Sequence, residues 1–119
     1  MNAIVISIGD ELLIGQTLNT NAGWMGSELN KNGVELTEVL TVCDDGKAIQ
    51  DALSYAGDKA RLVLVTGGLG PTKDDITKKA FADYFNAPLL ENKEALDNVE
   101  RFFKRYNLDM LPVNKLQAL

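Results

Sequence analysis

The stretch Leu62-Val63-Leu64-Val65-Thr66-Gly67-Gly68-Leu69-Gly70-Pro71-Thr72-Lys73-Asp74-Asp75-Ile76-Thr77 decides how this chain folds. Its first four residues are continuously apolar, as in a strand buried on both faces of a parallel sheet. Such a strand ends in a crevice. Lacking a Cβ, Gly67, Gly68 and Gly70 can take positive φ and let backbone amides approach an anion closely. Pro71 stiffens the exit, and Thr72 or Asp74 can cap a helix whose apolar stripe is Ile76, Ala80, Phe81 and Tyr84. Free N–H groups at a helix N-terminus favour phosphate. The glycine spacing fits neither the P-loop nor the dinucleotide fingerprint, which sets aside an ordinary NTPase or a nicotinamide enzyme. A strand-to-helix turn without a ligand would also explain the glycines. The paired Asp74-Asp75 shifts the reading toward a site, because acids beside a phosphate loop are costly unless a cation lies between them.

Upstream, Ala3 to Ile8 and Val34 to Val42 read as strands, the second broken by polar Glu35, Thr37, Glu38 and Thr41; Arg61 to Thr66 is the third. Helical spacing from Ala22 to Asn32 places Met25 and Leu29 on one side and ends at Gly33. A second helix sets Ile49, Ala52, Leu53 and Ala56 on one face and ends at Gly57. The order β-α-β-α-β-α predicts a doubly wound sheet with right-handed crossovers. Downstream, a helix from Glu94 to Tyr106 has Asn92 as its N-cap, and its stripe of Ala95, Val99, Phe102, Phe103 and Tyr106 reads as core or a subunit contact. Leu108 to Leu119 begins another extended or helical segment. The whole, residues 1–119, reads as one domain.

Ligands bind outside the C-terminal ends of strands in open parallel sheets, and acids follow all three apolar runs. They are Asp10-Glu11 after Gly9, Asp44-Asp45 after Cys43, and Asp74-Asp75. Helix capping accounts for any one of them. Three along one sheet edge suit Mg²⁺ or Mn²⁺ bridging protein oxygens and a pyrophosphate. Asn19-Thr20-Asn21 could hydrogen-bond a ribose or base, with helix capping the stronger reading. Trp24 could stack on a base, although a packed indole is the more ordinary role. Cys43, beside an acidic loop, is poorly placed for a nucleophile. Lys73 could neutralise a phosphate or stay solvated.

Composition narrows the field. With 45% apolar and 24% charged residues the chain is an ordinary globular sequence. A net charge of −5 argues against nucleic acid, which requires a basic footprint. No apolar run approaches a membrane span, and the N-terminus lacks a signal-peptide pattern. The single cysteine excludes an internal disulfide framework and fits a reducing cytoplasm. The absence of histidine rules out a Ser-His-Asp triad and a Cys/His zinc site, leaving carboxylates, lysines, backbone amides or an oxygen-held metal for any chemistry.

Gly9-Asp10-Glu11-Leu12-Leu13-x-Gly15 with Asn19-Thr20-Asn21-Ala22, then Val42-Cys43-Asp44, then the Thr66 to Thr77 segment, resemble the N-terminal domain of CinA (competence/damage-inducible) proteins, within the molybdopterin-binding MogA/MoaB-like superfamily. The resemblance spans essentially the whole chain. It implies an α/β fold, a three-layer α/β/α sandwich with a mostly parallel sheet, whose pocket in relatives takes a pterin phosphate or adenylate. Leu69 within Gly-Gly-Leu-Gly and the Pro-Thr that follows look like CinA rather than the molybdopterin adenylyltransferases. For CinA-type domains it implies metal-dependent hydrolysis of ADP-ribose to AMP and ribose 5-phosphate. On that reading Asp75 and Asp44 are catalytic, and Asp44, Asp74 and Asp75 hold Mg, Mn or Co. Gly67, Gly68, Leu69, Gly70, Thr72, Gly9, Asp10, Glu11, Asn19 and Asn21 then bind the ligand. A molybdopterin-phosphate or adenylyltransferase-like role, or a nucleotide-binding module without turnover, stands as the alternative. A homo-oligomer is expected. Similar domains continue past Asn114 to Ala118 with another glycine-rich segment, so this chain is expected to be part of such a domain.

Overall fold

In the computed structural model, which describes residues 1–119, β1 (Asn2–Ile8) lies between β2 (Glu35–Val42) and β3 (Leu62–Thr66), and both pairings are parallel. The helices are α1 (Asp10–Leu13), α2 (Thr20–Lys31), α3 (Gly46–Lys59), α4 (Thr77–Tyr84) and α5 (Lys93–Arg105), followed by a 3₁₀ segment, Pro112–Ala118. No helix is long and apolar enough to cross a membrane.

Because strand side chains alternate between faces, Ile4, Ile6 and Ile8 share one face of β1. They pack on Ile49, Ala52, Leu53 and Ala56 of α3 and on Ala80 of α4. Burying each isoleucine stabilises the fold by roughly 1.5–3 kcal/mol, so this face carries most of the core. On the other face Ala3, Val5 and Ser7 are equally buried, and Ser7 meets Asn19 at the start of α2. Helices on both faces of a parallel sheet make the three layers.

Strand bounds agree with the sequence reading to within a residue, but the burial of the decisive strand does not. Every residue of β3 is half-buried, whereas β1 is the fully covered strand. The reason is topological: β3 lies at an edge, and only a central strand has neighbours on both sides. Along the outer flank of β3 an apolar groove of about 490 Å³ is lined by Val63, Val65, Leu69, Phe81 and Phe85.

Other expectations change. The third helix continues through Gly57 to Lys59, and Ala60 ends it in extended backbone; packing of the Ile49 face outweighs the glycine's propensity cost of about 1 kcal/mol. Neither Thr72 nor Asp74 caps α4, which starts only at Thr77 after an N-cap residue, Ile76, that makes no side-chain cap bond. Asn92 does cap α5, accepting from the Ala95 amide. The aromatic stripe of α5, however, is not core: Phe102 and Tyr106 are 53% and 57% exposed, because α5 packs chiefly on the Pro112–Ala118 segment. Trp24, read as a packed indole, is 66% exposed. The one-turn α1 was not foreseen; four residues are too few for a helical period.

Candidate functional site

The order β2-β1-β3 makes the first crossover step to one side of β1 and the second step across it. Ligand crevices form where such connections diverge, here between the C-terminal ends of β1 and β3. A cleft of about 140 Å³ lies there, bordered by Ile8, Glu11, Asn19, Asn21, Thr66 and Gly67.

The glycine loop forms one wall. Gly67 and Gly68 have φ of 97° and 63°, a region that disfavours side chains. At Gly67 a Cβ would lie 2.0 Å from the Ile8 carbonyl oxygen, so the loop crosses the end of β1 at backbone contact distance. Nothing in the chain accepts a hydrogen bond from the N–H groups of Gly67, Gly68 or Leu69. Gly67 lines the cleft and Gly68 and Leu69 follow it in the chain; a run of free amides in such a loop is suited to anion oxygens.

Asp75 belongs to the loop itself. Thr72 donates to its Oδ2 from the hydroxyl at 2.6 Å and from the amide at 3.3 Å. The Thr72 hydroxyl bond is the main reason its carboxyl is held below the usual aspartate range; amides of Gly70 and Thr72 add to the effect and desolvation opposes it. Thr72 is thereby committed to Asp75 through its hydroxyl.

Asp10 and Asp44 form a separate pair. The Asp10 amide donates to Asp44 Oδ2 at 3.2 Å, and the Asp44 amide donates to Asp10 Oδ1 at 3.1 Å. The loops after β1 and β2 are therefore tied by two acids facing each other. Asp45 caps α3, accepting from the Ala48 amide. Asp44, Asp74 and Asp75 do not gather: no three acids in the chain form a cluster able to hold a metal. The strand order explains this, since β2 and β3 flank β1 on opposite sides and strands lie about 4.8 Å apart, putting the two loops roughly 10 Å apart.

The asparagines divide their work. Asn19 Oδ1 accepts from the Ala22 amide while its Nδ2 donates to Ser7 Oγ at 2.8 Å. Capping thus describes Asn19 better than ligand contact. Asn21 donates to Thr66 Oγ1 at 3.3 Å across the cleft. Glu11 lines the cleft with its carboxylate close over Gly9. The structure therefore unites Glu11, Asn19, Asn21 and Gly67, sets Asp10 with Asp44 on the β2 flank, and leaves Asp74 and Asp75 in the loop.

Two hydroxyls escaped the sequence reading. Thr66, last residue of β3, meets Asn21; Thr77, first residue of α4, is 2% exposed and donates to the Gly67 carbonyl at 2.8 Å. Their position at the two ends of the glycine segment was the available signal. The larger groove beside β3 has mostly hydrocarbon walls. It is an uncovered flank and lacks the convergent polar groups of a phosphate site.

Residues 4–117 match a family described as a probable molybdopterin binding domain. A CinA-like protein of Salinibacter ruber is 50% identical over 112 residues, covering 94% of this chain but 27% of that protein. The chain thus spans under a third of that curated relative. A crystal structure of a CinA protein of unknown function from Thermoplasma acidophilum superposes with a TM-score of 0.84 at 36% identity, over 98% of this chain and 67% of that one. A molybdopterin biosynthesis protein from Mycobacterium abscessus shares the fold, with a TM-score of 0.65 at 20% identity over 90% and 66% of the two chains.

Proposed function

This chain belongs to the molybdopterin-binding domain family as a CinA-like member, and from that premise we propose that the cleft between β1 and β3 binds a phosphate-bearing pterin. The observation that carries the reading is the run of unpaired amides at Gly67, Gly68 and Leu69, which begins where Gly67 lines the cleft at the topological switch point. Their N–H groups would hold the phosphate, while Asn21 and Thr66 are placed to meet polar edges of the ring system. Calorimetric titration with a pterin monophosphate, the matching pterin without phosphate, and inorganic pyrophosphate tests it. Both phosphorylated ligands bind, and removal of the phosphate weakens pterin binding at least tenfold; equal affinity for the two pterins overturns the proposal.

A second reading, metal-dependent hydrolysis of ADP-ribose to AMP and ribose 5-phosphate, is favoured by the facing Asp10 and Asp44. Each carboxylate keeps one oxygen outside the reciprocal bonds. Hard oxygen donors of this kind fit Mg²⁺ or Mn²⁺, which take one or two carboxylates together with substrate phosphates. When bound, such a cation supplies Lewis-acid polarisation of a phosphate. Asp10 and Asp44 would hold it; Asp75, engaged by Thr72, would keep the glycine loop in place beside the pyrophosphate. AMP release from ADP-ribose with Mg²⁺, Mn²⁺ or Co²⁺ that disappears in Asp44→Asn is the expected result for this reading. Absence of release from the wild type and from the full-length protein removes it.

A further inference from the structure

Thr77 is one of only two fully buried polar side chains; the other, Ser7, lies on the opposite face of the sheet with Asn19 as its partner. No part of Thr77 is spent on capping α4. Its hydroxyl donates instead to the Gly67 carbonyl at 2.8 Å, and its amide donates to the Gly68 carbonyl at 3.2 Å. Both carbonyls at the start of the glycine loop are thus drawn toward one residue.

The peptide bond is planar, and none in this chain is cis. In a trans peptide the C=O and the following N–H point in opposite directions. Drawing the Gly67 carbonyl to Thr77 therefore turns the Gly68 N–H away from α4, and drawing the Gly68 carbonyl inward does the same for the Leu69 N–H. Those are two of the three amides that find no acceptor in the chain. The contact is close as well: a Cβ on Gly68 would stand 2.3 Å from Thr77 Oγ1. A bulkier residue at Gly68 would thus displace the hydroxyl from its carbonyl.

We propose that Thr77 is the positioning residue that turns the Gly68 and Leu69 amides outward to receive an anion, an inference that rests on the phosphate-binding role assigned above to the loop. Thr77 acts through the backbone and touches no ligand. Two features of its side chain matter separately. The hydroxyl supplies the bond to Gly67, while the methyl contributes to the volume of a side chain that is 2% exposed.

The test uses ¹⁵N-labelled wild type, Thr77→Ser and Thr77→Val, each titrated with inorganic pyrophosphate while the amide signals of Gly67, Gly68 and Leu69 are followed. Thr77→Ser keeps the hydroxyl and is expected to bind within about threefold of wild type. Thr77→Val keeps the shape, loses the hydroxyl, and is expected to bind at least tenfold more weakly, with its unliganded shifts changed at Gly68 and Leu69. If the valine variant does not fold, Thr77→Ala is read in its place. Wild-type affinity and unchanged loop shifts in a folded variant lacking the hydroxyl overturn the proposal, as does failure of Thr77→Ser to rescue. If the wild type binds no pyrophosphate, the phosphate reading of the loop fails separately. The unliganded shifts then decide whether Thr77 sets the loop: changes centred on Gly68 and Leu69 support it, and their absence overturns it.

Discussion

Substituting Gly67 with alanine tests whether the loop is held at backbone contact distance from β1. Two costs arise together. At φ 97° any L-side chain is strained, by about 1–2 kcal/mol. The new Cβ would also stand 2.0 Å from the Ile8 carbonyl oxygen, a backbone atom of the most buried strand that cannot swing aside. Relief requires shifting β1 or the loop, comparable to overpacking a core at about 1–3 kcal/mol. The sum, about 2–5 kcal/mol, is a large part of a total stability of about 5–15 kcal/mol. Gly57→Ala is the internal control: Gly57 lies inside α3, exposed, with nothing within 4 Å of a built Cβ, so alanine should stabilise by about 0.5–1 kcal/mol. Urea unfolding followed by far-ultraviolet circular dichroism measures both. With a slope of about 1–3 kcal/mol/M, a loss of about 3 kcal/mol lowers the midpoint for Gly67→Ala by about 1 M or more, while Gly57→Ala raises it. A midpoint for Gly67→Ala within about 0.2 M of wild type, at unchanged slope, would refute the close approach.

Two other substitutions probe the hydrogen bonds around the cleft. Thr72→Val removes the main cause of the lowered Asp75 pKa, which should rise toward the ordinary aspartate value in a carboxylate NMR titration. Since the folded value lies below the unfolded one, this group stabilises the fold above the unfolded pKa, and that contribution disappears as pH falls through the folded value. The variant should therefore lose less stability over that acidic window, and an unmoved titration would discard the assignment. Asn19→Ala removes the cap of α2, worth about 1 kcal/mol, and leaves the buried Ser7 hydroxyl without its partner, at about 1–3 kcal/mol. Thermal unfolding should show a Tm lower by about 8 °C or more, whereas a change under about 2 °C would mean that Asn19 holds neither group.

Local grammar is readable in the sequence. Apolar runs and helical spacings defined three strands and the four longer helices, because periodicity and the punctuation of glycine and asparagine act over a few residues. Asn92 as a cap and the glycine turn after Thr66 are of this kind. The family resemblance was also legible, resting on the Gly9 to Ala22, Val42 to Asp44 and Thr66 to Thr77 segments.

Strand order was not legible, and the arrangement of the acids follows from it. Ile4 to Ile8 and Leu62 to Val65 are similarly apolar, so composition could not say which strand would be central; the direction taken by each crossover decided. With β1 in the middle, Asp44 faces Asp10 and not Asp75, the cleft opens between β1 and β3, and β3 keeps an uncovered flank. Thr77 likewise looked like an ordinary helix residue until the loop folded back on it. Sequence alone determined the strands, the longer helices and the glycine loop suited to phosphate, which depend on neighbours along the chain. Tertiary structure decided which side chains share a site, since that depends on packing between residues far apart in the chain.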